Sequence, residues 1–295
     1  MIFKIESLSP VAGHNDQEKM SRKHQVNAET GGERRLRRSV EAIVTAMCAA
    51  LYAAGSYATA YIPSPLGFGQ FRPAVVIPAF FATIFGPMPA AVGAAIGTLL
   101  ADSLKHGMLY MGSLVAAVPG NFIGFYLFGY IVRRFSWTRF ILASLVTLTI
   151  GNAITAFSYV IIFKAIYVQA LPFSPGTLTL ISLGLTLYWF ITMLPFVLLV
   201  TPLLIRAAAH AMPSIVPEDV YLSGLKSELP KKSFSLAMTI PGILMVIIGL
   251  ATTFTPLGTI TANAAKLTST ILIELMYYLG GITLITIGLI TATRK

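Results

Sequence analysis

Charge is scarce in this chain. Only 11% of its 295 residues are Asp, Glu, Lys or Arg, against roughly 25% in soluble domains. Beside 56% hydrophobic residues and a mean hydropathy of +0.78, that shortage excludes an ordinary soluble enzyme and a disordered chain. Cysteine is scarcer still. Cys48 stands alone, so an intramolecular disulfide and a Cys/His metal cluster are both excluded, and it reads as a small buried hydrophobe. No Gly-x-x-x-x-Gly-Lys-Ser/Thr loop occurs, so the chain carries no Walker-type ATP site. Gly-x-Ser-x-Gly, His-Glu-x-x-His and the acidic pairs of membrane prenyltransferases are missing too. No catalytic residue, metal or cofactor is expected. Acidic residues number 11 against 21 basic ones, a formal charge of +10. The basic residues lie mostly between apolar runs, where they orient a membrane protein rather than bind nucleic acid.

What is abundant is apolar sequence of spanning length, about 20 residues per run. Runs at Val40–Tyr61, Gly112–Val132, Trp137–Tyr167, Gly176–Ala208, Phe234–Phe254 and Lys266–Thr291 predict six spans. Pro73–Ala101 is also apolar, but Gly86-Pro87-Met88-Pro89 interrupts it, and two prolines with a glycine break a helix. Charge decides between one kinked span and a hairpin of two short ones. The hairpin gives about eight spans with both termini cytoplasmic. It leaves Arg72, Lys105, Lys164 and Lys266 outside and the other 17 of the 21 Lys and Arg inside. A single span flips every later loop and leaves the split near even, so the positive-inside rule selects the hairpin. Each arm is then about 13 residues, roughly 20 Å against about 30 Å of hydrocarbon. The outer layer must be completed by the loops Ile62–Arg72 and Asp102–Met111. Irregular backbone at that depth is tolerated where it lines a cavity, which predicts an outward-facing pocket.

The fold class is therefore an all-α polytopic membrane protein of about eight spans. Residues 1–39 predict a basic, disordered cytoplasmic tail and 40–211 a six-helix membrane domain. A cytoplasmic linker with one short amphipathic stretch follows at 212–233, then a further two-helix hairpin at 234–295. Glu218-Asp219 in the linker reads as a helix start. The expected location is the cell membrane.

Ala46, Ala50, Ala54 and Ala58 recur every fourth residue and share one face of the first span. Such faces let helices approach closely in lipid. Internal packing is their commoner use, and docking onto a partner membrane protein is the other. Ala90/Ala94 and Gly93/Gly97 make a second small face, for which internal packing is expected.

The run from Arg72-Pro73-Ala74-Val75-Val76-Ile77-Pro78 through Phe85-Gly86-Pro87-Met88-Pro89 and Gly93-Ala94-Ala95-Ile96-Gly97 to Asp102 resembles the substrate-binding S components of energy-coupling factor (ECF) transporters. Pro119-Gly120-Asn121-Phe122-Ile123-Gly124 and Arg133-Arg134 resemble their fourth helix, and the alanine ladder matches their Ala-x-x-x-Ala feature. The resemblance covers about Val40 to Ala211. It implies a six-helix frame and capture of a small water-soluble nutrient, a vitamin or related heterocycle. It also implies delivery to a transmembrane scaffold subunit driven by two ATPases, with the ladder of Ala46, Ala50, Ala54 and Ala58 contacting the scaffold. The basic tail and the C-terminal hairpin depart from the family pattern.

Polar side chains at depth suggest the site. Asn121 sits near the middle of its span. Asn152, Thr155 and Tyr159 share a face of the next, and Ser182, Thr186 and Trp189 a face of the one after. Interhelical hydrogen bonding explains any one of them, but three neighbouring spans fit an apolar-walled site with a few orienting groups. Trp189 is expected to stack on a flat ring or to sit in the core. Arg72, Lys105, His106 and Lys164 against Asp102 favour a ligand with an anionic group, with Asp102 alternatively bonding its own loop. The candidate substrate-binding set is Arg72, Asp102, Asn121, Asn152, Tyr159 and Trp189. Glu274 is the only carboxylate expected well inside a late span. Intramembrane carboxylates suggest function, so an autonomous proton-coupled transporter using Glu274 is the alternative to a packed, satisfied glutamate.

Overall fold

Among the described residues of the computed structural model seven helices are long and apolar enough to cross a bilayer, with one shorter apolar helix, Pro73–Phe85, beside them. The structure describes residues 38–62, 64, 69–226, 229–264 and 270–293. The expected tail (bar Arg38 and Ser39), Lys266, Arg294, Lys295 and part of the Ile62–Arg72 loop lie outside those residues.

Helix α1 covers Arg38–Ala58. A single 3₁₀ turn at Pro73–Val75 leads into α2, Val76–Phe85. Gly86 then takes φ +94, a backbone conformation that side chains other than glycine rarely adopt, and α3 begins at once with Pro87 at its first position. The break expected at Gly86–Pro89 is therefore a tight hairpin turn. Its second arm differs from the expectation. Helix α3 runs from Pro87 to His106, well beyond Ala101, because the polar residues of its last turns find partners there. It ends at Gly107, whose backbone N–H reaches the carbonyls of Leu104 and Ser103. The loop expected over Asp102–Met111 thus shrinks to the turn after His106.

Helix α4 spans Ser113–Ile131 and α5 spans Trp137–Tyr167. Each contains π-helical backbone, at Ser113–Ala117 in α4 and Ser158–Tyr167 in α5. Helix α6 runs unbroken over Pro175–Ala211 although Pro195 and Pro202 lie inside it. The linker folds into the short helix α7, Glu218–Lys226, with Glu218 and Asp219 in its first turn. Asp219 Oδ2 accepts the Phe135 backbone N–H at 2.7 Å, and the Trp137 indole N–H donates to the Ser223 carbonyl at 3.0 Å. Helices α8 (Lys231–Phe254), α9 (Leu257–Ala264) and α10 (Ile271–Thr293) complete the chain.

Small residues set the spacing between helices. A Cβ on Gly93 would lie 2.6 Å from that of Cys48, and one on Gly97 would lie 2.7 Å from the Ala49 carbonyl. The second small face therefore packs α3 against α1, as expected. A Cβ on Gly120 would stand 2.7 Å from the Gly151 carbonyl, so α4 and α5 nearly touch backbone to backbone. Gly242 and Gly281 hold α8 and α10 equally close.

One expectation is corrected outright. Glu274 does not lie deep in the last span. Helix α10 starts at Ile271, so Glu274 falls in its first turn, where the Thr270 hydroxyl donates to its carboxylate at 2.6 Å. The reason is local. The span was expected from Lys266, but the helical hydrogen bonding here begins at the Thr270 carbonyl, which accepts the backbone N–H groups of Ile273 and Glu274.

Candidate functional site

A cavity of about 240 Å³ opens among α1, α3, α4, α5 and α6 beneath the loop before Pro73. Arg72, Asp102, Asn121, Asn152, Tyr159 and Trp189, the six residues proposed from sequence, all line it. Tyr52, Gln70, Lys105, His106, Tyr110, Ser113 and Met193 line it too. The tight α4–α5 contact at Gly120 and Gly151 forms part of its wall.

Its mouth is a saturated polar network. Arg72 is only 7% exposed. Its guanidinium donates to the Thr98 hydroxyl and to the Asp102 carboxylate. Asp102, also buried, accepts a second bond from Gln70 Nε2 at 2.6 Å. Lys105 Nζ donates to Gln70 Oε1 at 2.8 Å and to the Ala60 carbonyl at 2.6 Å. The Trp189 indole N–H donates to the backbone carbonyl of Gln70 at 3.0 Å. Gln70 thereby joins the mouth loop to α3 and α6. This pairing alters the expected role of Arg72. A buried guanidinium held by a buried carboxylate is a structural ion, not a free cation awaiting an anionic ligand.

Gly69 takes φ +72, and a Cβ there would lie 2.8 Å from Trp189 Cζ2. The indole ring is thus packed under the loop at one edge while lining the cavity.

On the α3–α5 side, His106 and Tyr110 stack with ring centroids 3.8 Å apart. His106 Nδ1 donates to the Asp102 carbonyl at 2.7 Å; a carbonyl only accepts, so that nitrogen carries the proton. The hydroxyls of Tyr110 and Tyr159 lie 3.0 Å apart. Burial pushes the Tyr110 phenol up, with the Tyr159 hydroxyl pulling it back, so it stays a neutral phenol at physiological pH.

The two asparagines differ. Asn121 accepts from the Tyr52 hydroxyl at 3.2 Å and donates to the Ala117 carbonyl at 2.8 Å. Asn152 has one partner among the described residues, Met193 Sδ at 3.7 Å, and a thioether is a weak acceptor. The Ser113 hydroxyl, buried on the cavity wall, has no partner among the described residues. Unmet hydrogen-bonding capacity on a cavity wall is what a polar ligand would satisfy.

Some expected contributors fall away. The hydroxyls of Ser182 and Thr186 bond to the Leu178 and Ser182 carbonyls of their own helix at 2.8 Å. Lys164 lies off the cavity wall with its Nζ 5.6 Å from the Tyr159 ring centroid. Gln70, Tyr110 and Ser113 were not foreseen, since nothing local distinguishes them. Tyr52 left a trace in the sequence: it lies two residues from Ala50 and so faces away from the ladder.

The ladder itself has no partner among the described residues. Ala46, Ala50, Ala54 and Ala58 are all exposed, while Cys48, Tyr52 and Ser56 on the other side of α1 are buried. Internal packing therefore does not explain it.

A family model described as ECF-type riboflavin transporter, S component, matches residues 38–209. Neither the curated proteins nor the solved structures compared with the chain give a match.

Proposed function

The chain belongs to the family of ECF-type riboflavin transporter S components, and on that premise we propose that it captures a water-soluble vitamin from outside, with riboflavin the ligand to test first. The single observation that carries this is the cavity with all six sequence-proposed residues on one wall system, roofed by the Gln70 loop. Its under-satisfied hydrogen-bonding groups, Asn152 and Ser113, are neutral, Arg72 and Asp102 neutralise each other, and Lys105 is held by Gln70 and the Ala60 carbonyl. That favours an uncharged, ring-containing ligand held by apolar walls and a few orienting contacts. Asn152 and Ser113 bond it, Trp189 and Tyr159 line its ring, and Asn121 with Tyr52 shapes the floor. Arg72 and Asp102 fix the mouth.

Delivery is proposed to depend on a transmembrane scaffold subunit and two ATPases in trans, with the exposed face of Ala46, Ala50, Ala54 and Ala58 against the scaffold. Small side chains on an outward face permit close helix approach in lipid. Both termini are placed in the cytoplasm by the charge distribution. Glu274 lies in the first turn of its helix with its carboxylate accepting from the Thr270 hydroxyl, which supports the packed, satisfied glutamate over the proton-coupled alternative.

The test is Ala50→Trp in the full chain. Riboflavin binding to the isolated protein should persist while co-purification with scaffold and ATPases, and uptake, are lost. Assembly and uptake at wild-type levels would remove the docking role.

A further inference from the structure

Helix α6 faces both the cavity and the C-terminal hairpin. One face carries Trp189 and Met193 to the cavity wall. Ile191, two residues from each, lies about 200° around the helix and points the opposite way. It is buried at 5% exposure. A Cβ built on Gly280 of α10 would stand 3.1 Å from Ile191 Cγ2 and 2.7 Å from the methyl of Met245 on α8. The C-terminal hairpin thus bears on α6 directly behind the cavity.

The same point of α6 is weakened. Pro195 lies inside the helix. It has no N–H to give the carbonyl four residues back, which is that of Ile191. A helix missing that bond bends more readily there. The contact with the hairpin, the missing backbone bond and the two cavity-lining side chains therefore fall within two turns of one helix.

We propose that the C-terminal hairpin is a positioning element for the cavity: through Gly280 and Met245 it sets the bend of α6 at Ile191–Pro195 and so the placement of Trp189 and Met193. The affinity consequence rests on the riboflavin-capture function proposed above; the placement of Trp189 does not. The residues that line the cavity are then held from outside by a segment beyond the residues that match the family.

The experiment uses the full chain in detergent. The protein has two tryptophans, so Trp137→Phe leaves Trp189 as the sole reporter. In that background, Gly280→Leu should shift the Trp189 emission without ligand and weaken riboflavin binding about 2- to 30-fold. Adding Pro195→Ala, which restores the N–H, should stiffen α6 and shrink both effects, a non-additivity that independent sites do not show. Gly280→Ala and Ile191→Ala serve as milder variants if Gly280→Leu does not fold, and should move emission in the same test. Unchanged Trp189 emission and unchanged affinity in folded Gly280 and Ile191 variants would overturn the proposal. So would full additivity with Pro195→Ala. A wild-type protein that ignores riboflavin would sink the capture function alone, and the emission shift would still decide the role of the hairpin.

Discussion

The indole N–H of Trp189 reaches across 119 residues of sequence to the backbone carbonyl of Gln70, at 3.0 Å. This one bond ties the loop over the cavity to the helix that walls it. Trp189→Phe keeps an aromatic six-membered ring and deletes the donor together with the five-membered ring that carries it. A net hydrogen bond is worth about 0.5–1.5 kcal/mol, so riboflavin affinity should fall roughly 2- to 13-fold. Most of the loss should appear as faster release in a stopped-flow measurement. An unchanged release rate would show that the loop is held without this bond.

Asp102 and Arg72 form a buried ion pair. Removing one partner strands the other in a low-dielectric site, at about 3–5 kcal/mol. Asp102→Asn should therefore lower the melting temperature markedly, and Arg72→Met combined with Asp102→Leu should recover much of it. A double variant no more stable than Asp102→Asn would contradict the pairing as the source of the loss.

Asn152 and Asn121 should behave differently. Asn152 has only a weak sulfur partner, so Asn152→Ala should leave folding intact and cost roughly 1–3 kcal/mol of binding, about 5- to 150-fold. Ser113→Ala should follow it in kind. Asn121→Ala breaks bonds to Tyr52 and Ala117 and should lower stability together with binding. Calorimetry and thermal melts on the three variants separate the cases, and equal behaviour of the two asparagines would refute the distinction.

Orientation is testable by chemistry on intact cells. With Cys48→Ala as background, Met108→Cys lies in the exposed turn after α3 and Arg134→Cys in the exposed turn after α4. A membrane-impermeant thiol reagent should label the first and spare the second. Labelling at position 134 would reverse the topology.

Much of this molecule was legible in sequence because lipid imposes length and charge rules on every span. The Gly86–Pro87 break, the charge distribution and the apolar runs located the helices before any coordinate. The polar residues at depth, among them Asn121, Asn152 and Tyr159, pointed to the cavity because a polar group inside a span needs a reason. What sequence did not reveal depends on pairing at long range. Helix α3 runs on to His106 because Arg72, thirty residues before Asp102, neutralises that carboxylate. Gln70 and Ser113 matter through partners present or missing in space, which no spacing records. Glu274 misled because the span was read from Lys266, whereas α10 begins at Ile271 and leaves Glu274 in its first turn.

The central claim is that this chain, alone, is a vitamin-capturing protein. Native mass spectrometry of the purified full chain with riboflavin added tests it most directly. The account predicts a one-to-one complex that Asn152→Ala weakens while the protein stays folded. A wild-type spectrum with no bound riboflavin and no other co-purified heterocycle, or a complex indifferent to Asn152→Ala, Ser113→Ala and Trp189→Phe alike, would contradict it.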